Sequence, residues 1–205
     1  MNVALFILLP TVLLVCVELL KRVYGISSDV LRKVAHVGAG AINIAAPLYI
    51  SVDTLILLNI LFLTLLLLGR NIGYCTAIQS VKRPTFGDVY FPLGIITAAI
   101  VLLPEQQTAF QYGVAIMGFS DAFAGLVGER WGRRPITILR NQKTLIGAAA
   151  FFVTSVGITL AFIPQLLVTV VLIASILTAI EFVLVYGLDN LVLPVAAGLL
   201  YVALF

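Results

Sequence analysis

The stretch GFSDAFAGLVGERWG, residues 118–132, sets a carboxylate inside an apolar run and follows it with three glycines. On a helix turning about 100° per residue, Asp121, Gly125, Gly128 and Gly132 fall within about 40° of one another. One face therefore carries an acid and then three positions without side chains. Such a face admits close approach by a neighbouring helix or by a phosphate group, and the spacing leaves both open. The acid weighs towards function. A charged side chain at the centre of a membrane helix costs about 2.5–3.5 kcal/mol on insertion scales, and intramembrane carboxylates mark sites more often than packing.

Three further groups can join it. In DVLRKVAHVGAGAIN (29–43), Arg32, His36, Gly40 and Asn43 share one helical face. Arg32 suits two-pronged phosphate binding, Lys33 stands beside it, and His36 can donate to an anion or accept a proton. The plainer alternative makes Arg32 and Lys33 topology anchors paired with Asp29. In ERWGRRPITILRNQKTLIG, Lys143, Thr144 and Gly147 form a lysine beside a helix start with a small residue one turn on. That arrangement shares the physics of phosphate cradles, although no GxxxxGK[ST] loop is present. Arg133 and Arg134 serve equally well as loop anchors. Finally, Glu181, Asp189 and Asn190 stand near the last break in the chain. Asp121, Glu181 and Asp189 are a candidate Mg²⁺ set, since that ion takes few protein carboxylates and keeps positions for water and phosphate oxygens. Asp189 and Asn190, beside Gly187, also fit a simple turn and helix cap. Glu18 with Lys21 and Arg22 is expected to be an interfacial ion pair.

The elements that must position these groups are membrane helices. The chain is 62% hydrophobic and 10% charged, with mean hydropathy +1.18, more apolar surface than a soluble core of this size takes in. Its apolar runs are too long for barrel strands. Eight spans are expected, at about 2–20, 35–51, 54–69, 89–104, 107–128, 144–163, 165–186 and 190–205. The fourth and eighth are short, which makes the number seven to eight. All twelve lysines and arginines fall after the first, third and fifth runs. The positive-inside rule therefore predicts cytoplasmic basic loops and both termini outside. No linker or repeat divides residues 1–205, so one polytopic domain is expected. Cys16 and Cys75 are not expected to pair, a lone histidine gives no zinc set, and MNVALFILLP lacks the basic start of a removable signal peptide. The basic loops explain the net charge of +3 without a nucleic-acid partner. An intramembrane site open to the cytoplasm is expected, suited to a metal-bound nucleotide polyphosphate meeting a lipid. The host membrane expected from a short chain without a transit peptide is a prokaryotic plasma membrane.

Four stretches together resemble a known family: RKVAHVGAG (32–40), GDVYFPLG (87–94), SDAFAGLVGERWGRRPI (120–136) with KTLIGAAAFF (143–152), and GLDNLVLPVAAGLL (187–200). They are similar to the membrane isoprenoid-alcohol kinases that act on phytol, farnesol, dolichol and other polyprenols. Phosphatidate cytidylyltransferases, distantly related, share a version of the central pattern. The resemblance implies transfer of the terminal phosphate of a nucleoside triphosphate, typically CTP, to an isoprenoid alcohol with Mg²⁺. It implies Asp121, His36 and Lys143 as catalytic groups and Arg32, Lys33, Gly125, Gly128, Gly132, Thr144, Gly147 and Asn190 around the nucleotide. Asp121 and Asp189 would hold the metal, with Glu181, outside the matched stretches, as a weaker candidate from the residues alone. One departure is Ile146, where members often carry an acid. A phosphatidate cytidylyltransferase, a CTP-dependent diacylglycerol kinase and a small transporter with Asp121 and Glu181 as coupling acids are the alternatives.

Overall fold

The computed structural model describes residues 2–73, 75–80, 85–139, 141–163 and 167–205. Helices follow the apolar runs in order: α1 (Asn2–Tyr24), α2 (Ser28–Ala45), α3 (Val52–Ile72), the single turn α4 (Thr76–Gln79), α5 (Gly87–Leu102) and α6 (Gln107–Ala115). After them come α7 (Ala122–Trp131), α8 (Leu145–Phe162), α9 (Leu167–Val183) and α10 (Asp189–Leu204). Among the described residues, four helical stretches are long and apolar enough to cross a bilayer: Val3–Tyr24, Val52–Arg70, Gln107–Trp131 and Leu145–Phe162. Gly87–Leu102, Leu167–Val183 and Asp189–Leu204 are apolar but shorter. The described residues thus have the architecture of a helical membrane protein, whose apolar runs satisfy backbone groups chiefly within their own helices. Three of the twelve basic residues, Lys82, Arg83 and Arg140, lie outside the described residues.

The structure departs from the sequence reading in three places. The second helix begins at Ser28, ahead of the span expected from 35, which keeps Arg32 on the helical face read from the sequence. The stretch after α7 is not a plain loop. It folds into an antiparallel hairpin, β1 (Ile136–Ile138) on β2 (Asn141–Lys143), with Ile136 opposite Lys143. Strands of three residues are too short for an alternating pattern to show. Between α6 and α7 the helix widens into a π turn, Ile116–Asp121, that ends on the acid singled out above. Such turns gather at functional sites because they shift the hydrogen-bond ladder and re-aim side chains.

The stretch from α6 to α7 is the buried axis, with Phe110, Tyr112, Ile116 and Met117 fully covered. α10 packs on both α5 and α6, α7 on α8, and α8 on α9. Polar groups inside this core are paired: Tyr112 Oη lies 2.9 Å from Thr159 Oγ1, and Ser155 Oγ donates to Ser120 Oγ at 3.0 Å. α2 crosses the π turn where two glycines meet, and a Cβ on Gly40 would stand 3.2 Å from the Gly118 Cα. Outer faces keep their apolar side chains exposed, as on α1 at Leu8 and Val15 and on α3 at Leu57 and Leu65. Glu18 does pair with Arg22, at 3.0 Å. It also accepts from Thr76 Oγ1 at 2.8 Å and from the Ala77 N–H at 2.9 Å, while Lys21 turns to the Thr76 carbonyl at 2.7 Å. Glu18 therefore fastens α1 to α4.

Candidate active site

The catalytic, nucleotide and metal candidates all line one cavity of about 550 Å³, whereas Gly40 and Asn43, farther along the Arg32 face, do not. Its acidic wall comes from three helices. Asp121 closes the π turn, Glu181 lies in α9, and Asp189 opens α10. One carboxylate oxygen from each lies within 4.8 Å of the other two. Glu181 and Asp189 are buried, and Asp121 is partly open to the cavity. No described residue donates a hydrogen bond to Asp121; His36 Nε2 stands 3.9 Å from its Oδ2.

Lys143 enters this wall from the end of β2. Its ammonium donates to a Glu181 carboxylate oxygen, to the Glu181 carbonyl at 2.9 Å, and to Asp189 Oδ2 at 3.4 Å. Burial works against the charge, but the carboxylates of Asp189, Glu181 and Asp121 outweigh it and hold the ammonium above the ordinary lysine range. Lys143 is therefore charged throughout the neutral range. Thr144, the next residue, caps α8 by accepting from the Gly147 N–H at 3.1 Å. The lysine is aimed inward because the cap fixes where the hairpin stops and the helix starts.

The basic wall is α2. Arg32 Nη1 donates to Thr85 Oγ1 at 3.4 Å, and Lys33, itself buried, pairs with Glu129 at 2.6 Å. His36 Nε2 donates to the Met117 carbonyl of the π turn at 3.1 Å, and its ring meets Phe91 edge-on at 4.7 Å. A carbonyl can only accept, so Nε2 carries the proton and any proton acceptor on this ring is Nδ1.

The glycine stripe resolves into packing by this chain's own atoms. A Cβ on Gly125 would stand 2.5 Å from Lys33 Cε, and one on Gly128 would stand 2.7 Å from Thr144 Oγ1. Gly147 faces back, where a Cβ would stand 2.9 Å from the Ala124 carbonyl. Of the two options the spacing left open, close approach by neighbours is the one these contacts show. Gly125 lets the lysine stem lie flat on α7, and Gly128 lets α8 start against it.

Asn190 bonds the rim together. Its Nδ2 donates to the Gly87 carbonyl at 3.0 Å, which leaves Oδ1 buried with no described partner. Gly187 has φ +87°, and a Cβ there would stand 2.6 Å from the Gly87 backbone. The segments GDVY and GLDN therefore meet backbone to backbone. Sequence reasoning missed Asn141 and Asp88 as cavity residues. Asn141 is buried in the hairpin with Nδ2 unpartnered among the described residues, and a three-residue strand gave no signal for it. Asp88 was legible as an acid at a helix start, and it takes both Arg70 hydrogen bonds at 2.7 and 2.8 Å.

The three carboxylates supply hard oxygen donors, and one ammonium leaves formal negative charge in excess. That donor set fits a small divalent cation such as Mg²⁺. The opposite basic wall suits an anion. A cavity with both walls can hold a cation and an anion side by side.

Comparison with known proteins adds one relative. The chain is 27% identical over 194 residues to a phytol kinase of Synechocystis sp. (strain ATCC 27184 / PCC 6803 / Kazusa), spanning 89% of this chain and 82% of the relative. This likeness supports the isoprenoid-alcohol kinase family. It supports a kinase, a phosphotransferase with an alcohol acceptor. No family model matches the chain, and no solved structure matches it. The aligned length takes in most of the residues around the cavity, so the likeness and the geometry concern the same part of the molecule.

Proposed function

We propose that this chain is a membrane lipid kinase that moves the terminal phosphate of a nucleoside triphosphate, CTP in the first instance, to the hydroxyl of an isoprenoid alcohol such as phytol, geranylgeraniol, farnesol or a polyprenol. The observation that carries this reading is the meeting of Asp121, Glu181, Asp189 and Lys143 in a cavity whose other wall is Arg32, Lys33 and His36. The charged end of the bundle faces the cytoplasm, with eight crossings and both termini outside, as the basic residues predict.

In this mechanism Asp121, Asp189 and Glu181 would hold Mg²⁺, which would supply positive charge to offset that of the phosphates. Lys143 and Arg32 neutralise charge on the group in transit, and Lys33 lines the nucleotide side. Asn190 Oδ1 and the start of α8 at Thr144 and Gly147 offer polar contacts to the donor. Phosphoryl transfer depends mainly on positioning and charge stabilisation, so a strong base is not required. Where a proton acceptor contributes, Asp121 is better placed than His36, whose Nε2–H is committed to the Met117 carbonyl.

The test is position-specific label. Purified protein in lipid nanodiscs receives CTP labelled at the γ- or α-phosphate, with phytol, geranylgeraniol, farnesol, diacylglycerol or phosphatidate. Gamma label in an isoprenoid alcohol is the expected result. Gamma label in diacylglycerol alone, or α label in phosphatidate, would replace this reading with a diacylglycerol kinase or a cytidylyltransferase.

A further inference from the structure

A second cavity, of about 70 Å³, adjoins the first, bounded by α1, α2, α3 and α5. It shares three wall residues with the large one: Ala39, Phe62 and Phe91. Phe91 is also the ring against His36, so the junction stands beside the polar groups. The helices around it explain why the space exists. α1 packs chiefly along α2 and α3 chiefly along α5, while α1 and α3 scarcely touch. Between them runs a slot lined by Leu13 and Leu14 at the polar cavity and by Ile7, Pro10 and Thr11 farther on. On α3 the wall extends from Leu66 to Leu55, about 16 Å of helical rise. Its side chains are almost wholly apolar. The buried amides there, Asn43 and Asn59, bond each other at 3.0 Å, and each also donates to a carbonyl of its own helix.

We propose that the hydrocarbon tail of the lipid acceptor lies in this slot between α1 and α3, passing Ala39, Phe62 and Phe91 into the smaller cavity, with its hydroxyl beside Asp121. The proposal rests on the lipid-kinase reading above. A tail is the occupant that fits an apolar groove continuous with a polar reaction cavity and open sideways to lipid: Ile7, Leu61 and Leu65 on its lips are exposed. Helices α1 and α3 then set which acceptors are used, and the narrow end at Phe6 and Ala46, both buried, sets how much tail is held inside.

The experiment uses geranylgeraniol carrying a photoactivated diazirine at its far end, added to the full chain in nanodiscs without nucleotide, followed by mapping of the labelled peptides. Label on α1 and α3, displaced by unlabelled alcohol but not by excess phospholipid, is the expected result. Thr11→Trp fills the slot at an exposed position, and Leu8→Trp adds the same bulk on α1 outside both cavities. Thr11→Trp should lower labelling and kcat/KM for geranylgeraniol about tenfold, spare the shorter geraniol, and leave Leu8→Trp near wild type. Label on α8 or α9, displacement by phospholipid, or equal effects of the two tryptophans overturns the proposal. Labelling needs no phosphoryl transfer, so the two readings fail separately. A labelled slot in a protein that phosphorylates no alcohol sinks the kinase reading, whereas phosphorylation with label elsewhere sinks the slot.

Discussion

Two cation–carboxylate sites contribute carboxylates to the same cavity and are built on opposite principles. At Arg70 and Asp88 the account is closed. One guanidinium meets both carboxylate oxygens, at 2.7 and 2.8 Å, and Gln79 adds a third donor at 3.4 Å. At Asp121, Glu181 and Asp189 it is open, with three acids facing one ammonium and Asp121 accepting from no described residue. A saturated pair joins α3 to α5 and has nothing left to offer a ligand. An under-compensated cluster in a buried wall is costly to hold in the folded protein, and such sites are kept for what they bind. Both places set a cation against carboxylate; the difference lies in the ratio, and so in how many oxygens remain unanswered.

That contrast can be broken by removing charge at each site. Asp121→Asn keeps the shape of the open cluster and takes one anion from it. Transfer should fall by about a hundredfold or more while the protein still inserts and folds, as measured by label transfer and thermal unfolding together. Retention of most activity would remove Asp121 from the chemistry. Lys143→Met leaves Glu181 and Asp189 without their ammonium. It should cost about 3 kcal/mol of stability, along with most activity. Because the folded lysine titrates above its ordinary value, its contribution is complete below that ordinary value and fades only as pH climbs through the higher folded one. The stability gap between Lys143→Met and wild type should therefore not close from neutral to mildly alkaline pH in unfolding measurements. A gap that closes before the lysine range would contradict the charged assignment. Arg70→Ala should matter least. With Arg70 more than a third exposed, its loss should cost about 1 kcal/mol or less and leave kcat/KM nearly unchanged.

Much of this was readable in the residues. The helical order follows apolar runs whose length the bilayer dictates, and the faces read from Asp121 and from Arg32 survive because a 3.6-residue period carries over once a helix forms. What the sequence left undecided was which neighbour takes up a bare glycine face. Lys33 and Thr144 settle it, from elements distant in the chain. The π turn at Ile116–Asp121 was not visible, because widening one turn changes bonding without changing residue types. The hairpin holding Asn141 was too short to leave a pattern. The meeting of Gly87 with Gly187 depends on tertiary approach, although a glycine at φ +87° beside an Asp-Asn pair reads locally as a turn. The partly legible Asp88 shows the limit best. Its place at a helix start was plain, but its engagement with Arg70 required the fold.

The most direct test of the open cluster is titration of the purified protein with Mn²⁺, a spectroscopic stand-in for Mg²⁺, by electron paramagnetic resonance. One bound ion in wild type, retained in Arg70→Ala and lost in Asp121→Asn and in Asp189→Asn, is the predicted result. Equal Mn²⁺ binding in wild type and in both acid-to-amide variants would contradict it.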